Sequence, residues 1–449
     1  MTSRIQINQI GYYDRGAKHA FLLAETDRFN VVDRVNDEIV FSGFPERAIF
    51  IDAWGMKIVP LDFSELSLTG SFYIICELPT GQILRSDNFE ISKTPFLSFM
   101  NAFLEALPPS RKYYREKDYS EIAFSTACLI FHILVSRFHG VEAAIYDITE
   151  SINTEIKHNL LMTLTRDDFK PSELASVSAA AALGSWFFRK TEKSLSDRLS
   201  KVAVKTWIEN IEISRASGTQ NSPGTLFWGL CALYAITGSE DFLLAAKENI
   251  PRDPTSFTVS NPSGFGMISA FLLPGGGDLA LRRSLREALR VKADNLTSNT
   301  DRFFVTRDDF SRNSNELLLS DTLALFSANT ILREPSYKAA AARNISYICG
   351  VNPLEKCFVT GFGKNPVKYP HLPSDLTRGD DGLRVYEAPL PGIVVPGANS
   401  DIKTDGYLTW QMTGKTPPAK CYGDTKTSPT TNSASLSMGA LMFFAAGIS

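Results

Sequence analysis

The sequence has few of the residue patterns that hold metals or cofactors. Its six cysteines, Cys76, Cys128, Cys231, Cys349, Cys357 and Cys421, include no CxxC or comparable spacing, which argues against a structural zinc. Scattered among apolar neighbours, they read as buried free thiols of a reducing compartment. Histidine is scarcer, with five in 449 residues, and His19, His132, His139 and His158 share no ligand spacing, so no metal is expected. The glycine run Pro274-Gly275-Gly276-Gly277-Asp278 has neither the Lys-Ser/Thr pair nor the preceding strand of a phosphate loop. It reads as a turn between helices, and no cofactor is expected. An excess of one charge is lacking too: 46 basic against 49 acidic residues leave a net charge of −3. That balance, mixed along the chain, predicts no nucleic-acid footprint and no disordered charged tail. No apolar run reads as long enough to span a bilayer, so no membrane partner is expected. The opening Met1-Thr2-Ser3-Arg4-Ile5 enters strand-like sequence without a signal-like segment. This reads as cytoplasmic as written, or as extracellular or periplasmic if the natural chain starts further upstream.

What is present divides in two. At 449 residues, with 44% hydrophobic and 21% charged residues, two domains are expected. The stretches 4–8, 20–23, 29–33, 38–41, 57–61, 72–76 and 88–91 alternate in strand fashion between turn residues, which predicts an immunoglobulin-like β-sandwich over residues 1–92. From residue 95 to 449 the period becomes helical. A helix from Phe96 to Leu107 is expected to stop at Pro108-Pro109, and an apolar one runs from Tyr119 to Phe138. Further helices are expected at 147–165, 171–190, 194–214, 222–236, 239–248, 262–272, 279–292, 314–331, 335–349 and 432–446. Paired helices of this number imply a solenoid, a bundle or a toroid. The small-residue face Ala179-Ala180-Ala181-Ala182 permits close helix packing and needs no functional reading.

The C-terminal fifth is of a different kind. Ile348 and Gly350 end a helix, Asn352-Pro353 forbids its continuation, and a Gly- and Pro-rich stretch of nearly eighty residues follows from Val351 to Pro429. Phe358, Phe362, Tyr369, Tyr386, Tyr407, Trp410 and Tyr422 are interleaved along it. A solvated linker would lack such residues, so this is a functional surface. Four of its pieces occur in order: Tyr347-Ile348-Cys349-Gly350-Val351-Asn352-Pro353-Leu354, Cys357 to Gly363, Pro391 to Asn399, and Pro418-Ala419-Lys420-Cys421-Tyr422-Gly423-Asp424 through Asn432. Together they resemble the C-terminal motifs of glycoside hydrolase family 9, the endoglucanase family. A second resemblance lies at the other end. Ile7-Asn8-Gln9-Ile10-Gly11-Tyr12, Lys18, Asp62-Phe63-Ser64, Gly70 with Tyr73, and Ser86 with Phe89 are similar to the immunoglobulin-like module that precedes many family 9 catalytic domains. The resemblance implies a closed (α/α)6 barrel behind a structural sandwich.

It also implies a chemistry that this sequence only partly supports. An inverting glycosidase needs a general acid and a general base about 6.5–9.5 Å apart, with a water between them. Where the last motif of the family ends in the acidic Glu, this chain has Ser433, and a hydroxyl cannot act as a general acid near neutral pH. The family's DAGDY-like base motif is matched by Arg115-Glu116-Lys117-Asp118-Tyr119. Asp118 then stands for the base and Arg115 for the other water-holding Asp, and the loop ahead of the motif is shortened. The alternative reading of Asp118 is an ordinary helix N-cap. The substrate-contacting PHHR-like piece survives as Pro370-His371-Leu372-Pro373. His371, Tyr119, Tyr369, Tyr386, Tyr407, Trp410, Tyr422 and Asn432 are the candidate sugar contacts, the rings stacking on apolar sugar faces.

Ser433 with His371 and an Asp could compose a hydrolase triad, but no nucleophile-elbow spacing surrounds the serine. Glu387, Asp380, Asp381 and Asp424 are possible substitute acids, each more readily explained as a loop carboxylate. The expected function is therefore that of a family 9-like carbohydrate-active protein with weak or no cellulase activity, acting mainly by binding an oligo- or polysaccharide. The alternative is a non-catalytic structural or interaction protein that keeps only the scaffold. Asp118 is expected to line one cavity with His371 and Ser433.

Overall fold

The computed structural model describes residues 5–139, 146–218, 221–273, 278–371, 389–401, 416–431 and 436–446, without the side chains of residues 109, 112–117, 138–139 and 146–147. Ten strands precede the first helix: β1 Ile5–Gln6, β2 Tyr12–Tyr13, β3 His19–Leu22, β4 Phe29–Asp33, β5 Ile39–Gly43, β6 Ile49–Ile51, β7 Met56–Asp62, β8 Gly70–Glu77, β9 Ile83–Arg85 and β10 Phe89–Ser92. The seven expected strands are there, and the three additional ones are only two or three residues long, too short to show an alternation. One sheet runs β1-β3-β7-β6 and the other β2-β10-β8-β4-β5, with β9 against β8. All pairs are antiparallel except β10 with β2. The inward residues of both sheets, among them Phe29, Val31, Leu61, Phe63, Phe72 and Ile74, form one buried core.

The residues that resemble the family module do structural work. Asn8 Oδ1 accepts the N–H groups of Ile10 and Gly11, and the Tyr12 hydroxyl accepts from Asn8 N and donates to the His19 carbonyl. The Lys18 ammonium is buried and donates to the carbonyls of Tyr13, Asp14 and Gly16 at 3.0, 3.0 and 2.7 Å. Burial draws its pKa down to about 8. Gln9 fastens the sandwich to the helical part. Its N–H reaches the Cys349 carbonyl at 2.9 Å and its Nε2 the Glu355 carbonyl at 3.0 Å, while its Oε1 accepts from Lys364 and Asn365 N–H. Gly350 lies beside that clamp at φ +124°, and a Cβ there would stand 2.4 Å from Gln9 Nε2, so the position requires glycine.

Among the described residues twelve α-helices follow: α1 Leu97–Lys117, α2 Tyr119–His139, α3 Tyr146–Thr165, α4 Leu174–Phe188, α5 Lys193–Ser217, α6 Pro223–Thr237, α7 Glu240–Glu248, α8 Ser263–Leu272, α9 Leu279–Phe303, α10 Ser314–Leu332, α11 Pro335–Ile348 and α12 Leu436–Ala446. Two expectations fail. The helix α1 runs ten residues past Leu107, through Pro108-Pro109, although interior proline costs about 3 kcal/mol. Tertiary contact offsets that cost, since Arg111 donates to Glu155 at 2.6 Å and to Asn159 at 2.9 Å on α3. The helix α9 likewise continues to Phe303 instead of ending near 292. Its buried Leu285, Leu289, Ala293, Leu296 and Thr300 keep the helical period throughout.

The ring is closed. Helix α2 packs on α4, α4 on α6, α6 on α8, α8 on α10, α10 on α12 and α12 on α2, while α1, α3, α5, α7, α9 and α11 lie outside. The hydrophobic patterning follows from that position. Apart from Phe187, every residue of α4 is buried, and all of α12 is, whereas α5 and α9 bury one stripe. By length and composition α2 is apolar enough to cross a membrane, contrary to the expectation above, but 83% of that stretch is buried as the inner wall of the barrel. The barrel is filled. Phe265 stands at its centre with Phe124, Trp228, Phe257 and Phe131 at ring distances of 5.0, 5.2, 5.4 and 5.6 Å. All six cysteines are buried thiols.

Candidate active site

Hydrogen bonds tie the first turns of the inner helices together at one end of the ring. Glu173, buried just before α4, accepts the Tyr119 N–H of α2 at 2.9 Å through Oε1 and the Lys170 N–H at 2.9 Å through Oε2. Glu316, in the first turn of α10, accepts the Val259 N–H at 3.0 Å and the Asn313 amide at 3.1 Å. Glu121, in the first turn of α2, accepts the Ser437 N–H of α12 at 3.0 Å. Helix N-termini present unpaired N–H groups and a partial positive charge, which is why carboxylates gather here.

The C-terminal motifs are knitted over the same end. Asn352 bonds the carbonyls of Tyr347 and Lys356 and accepts from Leu354 and Lys356 N–H, which fixes the turn after α11. Thr360 N–H meets the Ile393 carbonyl, and Val395 N–H the Phe358 carbonyl. Asn315 and Ser314 hold the carbonyls of Val395 and Ala398 over the start of α10. Gly397 N–H reaches the Thr430 carbonyl, so the third motif lies against the fourth.

The candidate residues fare unequally. Asp118 is exposed and its Oδ1 accepts the Ser120 N–H at 3.0 Å, the geometry of an N-cap, while its carboxylate stays open to solvent. Tyr119 is turned into the wall, its hydroxyl on Asn159 and Thr163 of α3, and so cannot stack on a sugar. His371 is exposed, with its backbone N–H on the Thr431 carbonyl and its Nδ1 at 2.7 Å from the Lys426 carbonyl. Tyr369 is 52% exposed and available for stacking. Tyr422 packs edge-on against Phe358, with its hydroxyl buried. Asp424 is occupied: it pairs with Lys356 at 2.6 Å and accepts the N–H groups of Lys368 and Tyr369. Ser433, Asn432, Tyr386, Tyr407, Trp410, Glu387, Asp380 and Asp381 lie outside the described residues, as does the Arg115 side chain. The flanks of Ser433 are described. The Thr431 carbonyl accepts the His371 N–H, and the Ser437 N–H donates to Glu121 in the first turn of α2.

Glu121 is the residue the sequence reading passed over. It interrupts an apolar helix three positions after Asp118, and that interruption was the available signal. Its carboxyl lies deep in the fold without being sealed from solvent. Burial pushes its pKa up to about 7, with Asp118 and Glu316 adding to the rise and the Ser437 N–H and hydroxyl opposing it. Burial also raises Glu316, against the lowering effect of Val259 N–H and Asn313. Among the described residues no group of three or more His, Cys, Asp or Glu side chains is placed to hold a metal ion.

Comparison with known proteins places this geometry. A family model described as "Glycosyl hydrolase family 9" matches residues 153–446, and one described as "Cellulase N-terminal ig-like domain" matches residues 1–79. The Arg115–Tyr119 segment lies between these spans. A cellodextrinase of Butyrivibrio fibrisolvens is 25% identical over 531 residues, covering 94% of this chain and 95% of its own. That alignment is longer than the chain, so the relative carries segments absent here. A cellulose 1,4-beta-cellobiosidase of Acetivibrio thermocellus is 25% identical over 48% of this chain, which spans only 27% of the relative's length. Among solved structures, AaCel9A in complex with cellobiose-like isofagomine superposes with a TM-score of 0.81 at 19% identity, over 99% of each chain.

Proposed function

The chain belongs to glycosyl hydrolase family 9, and from that premise we propose that it binds a β-glucan-type oligo- or polysaccharide at the mouth formed by the N-terminal ends of the inner helices. On this reading binding dominates, and hydrolysis of O-glycosidic bonds is weak. The observation that carries it is Ser433 at the position where the family motif ends in Glu. A serine hydroxyl holds its proton too tightly to protonate a departing sugar, and loss of a positioned acid removes about 10²–10⁴-fold in rate. Asp118, exposed at the same mouth, is the candidate base. Tyr369 is a stacking ring that solvent still reaches, and His371 presents a ring beside it.

The test compares the natural chain with Ser433→Glu and with Ser433→Glu/Arg115→Asp, on soluble β-glucan and on aryl glycosides, alongside glycan binding by calorimetry. Aryl glycosides need less protonation and should be cleaved faster relative to β-glucan. The single variant should gain modestly and the double variant more, because Arg115 stands where the second water-holding Asp is expected. Robust natural turnover of β-glucan would refute the degenerate site. Absence of both binding and activity in every variant would favour a scaffold-only role.

A further inference from the structure

We propose that Glu121 is the proton donor for whatever hydrolysis this site performs, in place of the group missing at Ser433. The proposal rests on the reading above that a β-glucan occupies the mouth of the barrel. Its first support is position. Glu121 projects from the first turn of α2 onto the first turn of α12, where Oε2 accepts the Ser437 N–H at 3.0 Å, four residues beyond Ser433. A side chain from a neighbouring inner helix thus reaches the place where α12 begins. Helix α10 flanks α12 on its other side and presents Glu316.

The other described carboxyls of this end are engaged with backbone or amide N–H groups, Asp118 through one oxygen and with the rest of its carboxylate open to solvent. Asp118 caps α2, Glu173 is shared between the Tyr119 and Lys170 N–H groups, and Glu316 between Val259 and Asn313. Among the described residues Glu121 is held by Ser437 and by no basic side chain, so it is oriented without being consumed in an ion pair there. The charges that bear on it are Asp118 from its own helix and Glu316 from α10, while the neighbouring Cys128 stays a neutral thiol; the described residues of α12 bring no ionisable side chain. Burial and these like charges keep the proton on up to about pH 7, whereas an ordinary glutamate is ionised there.

The step balances simply. The Glu121 proton passes to the glycosidic oxygen as the C1–O bond breaks, and the bonding pair stays with the departing sugar as its hydroxyl. Water adds at C1 and yields its proton to Asp118, and solvent then exchanges protons with both carboxyls, so one water is consumed per bond.

The experiment follows cleavage of soluble β-glucan and of an aryl glycoside from pH 4 to 9 by the natural chain, Glu121→Gln and Glu121→Asp, with cello-oligosaccharide binding and melting temperature measured in parallel. Glu121→Gln should lower β-glucan cleavage by about 100-fold or more. It should abolish the fall in rate as pH rises through 7, and leave binding within about threefold and the aryl glycoside far less affected. Glu121→Asp should keep part of the rate. An unchanged rate or pH profile in Glu121→Gln overturns the proposal, as does a natural chain that binds glycan without cleaving it. A natural chain that binds no glycan fails the underlying reading instead. Should Glu121→Gln not fold, the natural pH profile decides, and a profile flat between pH 6 and 8 overturns the assignment.

Discussion

The two ends of the inner ring are built from the same helices and differ in almost every physical respect. At the N-terminal end Asp118, Glu121 and Glu173 accept N–H groups of helix first turns, and Glu316 accepts the Val259 N–H ahead of α8. Toward the C-terminal end Val135, Ile268, Leu272, Phe326 and Phe444 surround only a small apolar cavity. Between them His132 is buried against Phe443, with both ring nitrogens lacking a side-chain partner. The contrast teaches that polarity at the mouth is largely structural, because most carboxyls there satisfy helix ends. Two of them, Glu121 and Glu316, resist ionisation because they are buried, and the Ser437 contact of Glu121 on α12 works against that rise.

The comparison breaks most severely if the partition between the ends is removed. Phe265→Ala should cost about 3–5 kcal/mol, since a fully buried ring contacting four aromatic neighbours leaves a cavity that the ring of helices cannot close. Denaturant unfolding measures it, and a loss below about 1 kcal/mol would mean that the barrel centre collapses freely.

A pH series sharpens the comparison, because Glu121 at the mouth and His132 deeper in the barrel titrate in opposite senses. His132 is drawn down by burial to about 4 from 6.5, so its contribution is present above pH 6.5 and is lost as pH falls toward 4. Glu121 is raised to about 7 from 4.5, so its contribution is present below pH 4.5 and is lost as pH rises through 7. Each effect is at most about 3 kcal/mol. In urea unfolding from pH 4 to 8.5, His132→Leu should flatten the acid side and Glu121→Gln the alkaline side. A variant with the slope of the natural chain on its own side would remove that residue from the account.

Arg111→Ala should cost about 2 kcal/mol by leaving Glu155 and Asn159 without their partner in the stretch of α1 beyond the prolines. A parallel loss of helical signal would show that this contact carries α1 past Pro109. The smallest effect is expected at the surface. Tyr369→Ala should weaken glycan binding by about five- to tenfold through loss of one stacking face, with melting unchanged. Unchanged binding would remove Tyr369 from the mouth.

Much of the architecture was legible because its signals are local. The alternation of Phe29-Asn30-Val31-Val32, the all-round apolarity of Leu174–Phe188 and the Asn352-Pro353 stop each identify an element from neighbouring residues alone. The continuation of α1 through Pro108-Pro109 was not legible, because the Arg111 contacts that offset the proline penalty come from residues 44 and 48 positions away. The site divided in the same way. The sequence by itself determined that the chain resembles family 9 and has Ser433, not a carboxyl, at position 433, and it proposed Asp118, His371 and Tyr369 as mouth residues, since each of these is a matter of residue identity. Only the tertiary structure decided that Tyr119 faces the wall, that Asp424 is locked to Lys356 and that Glu121 meets α12. A carboxyl's role depends on which partners and how much solvent surround it, and the partner of Glu121 lies 316 residues away along the chain.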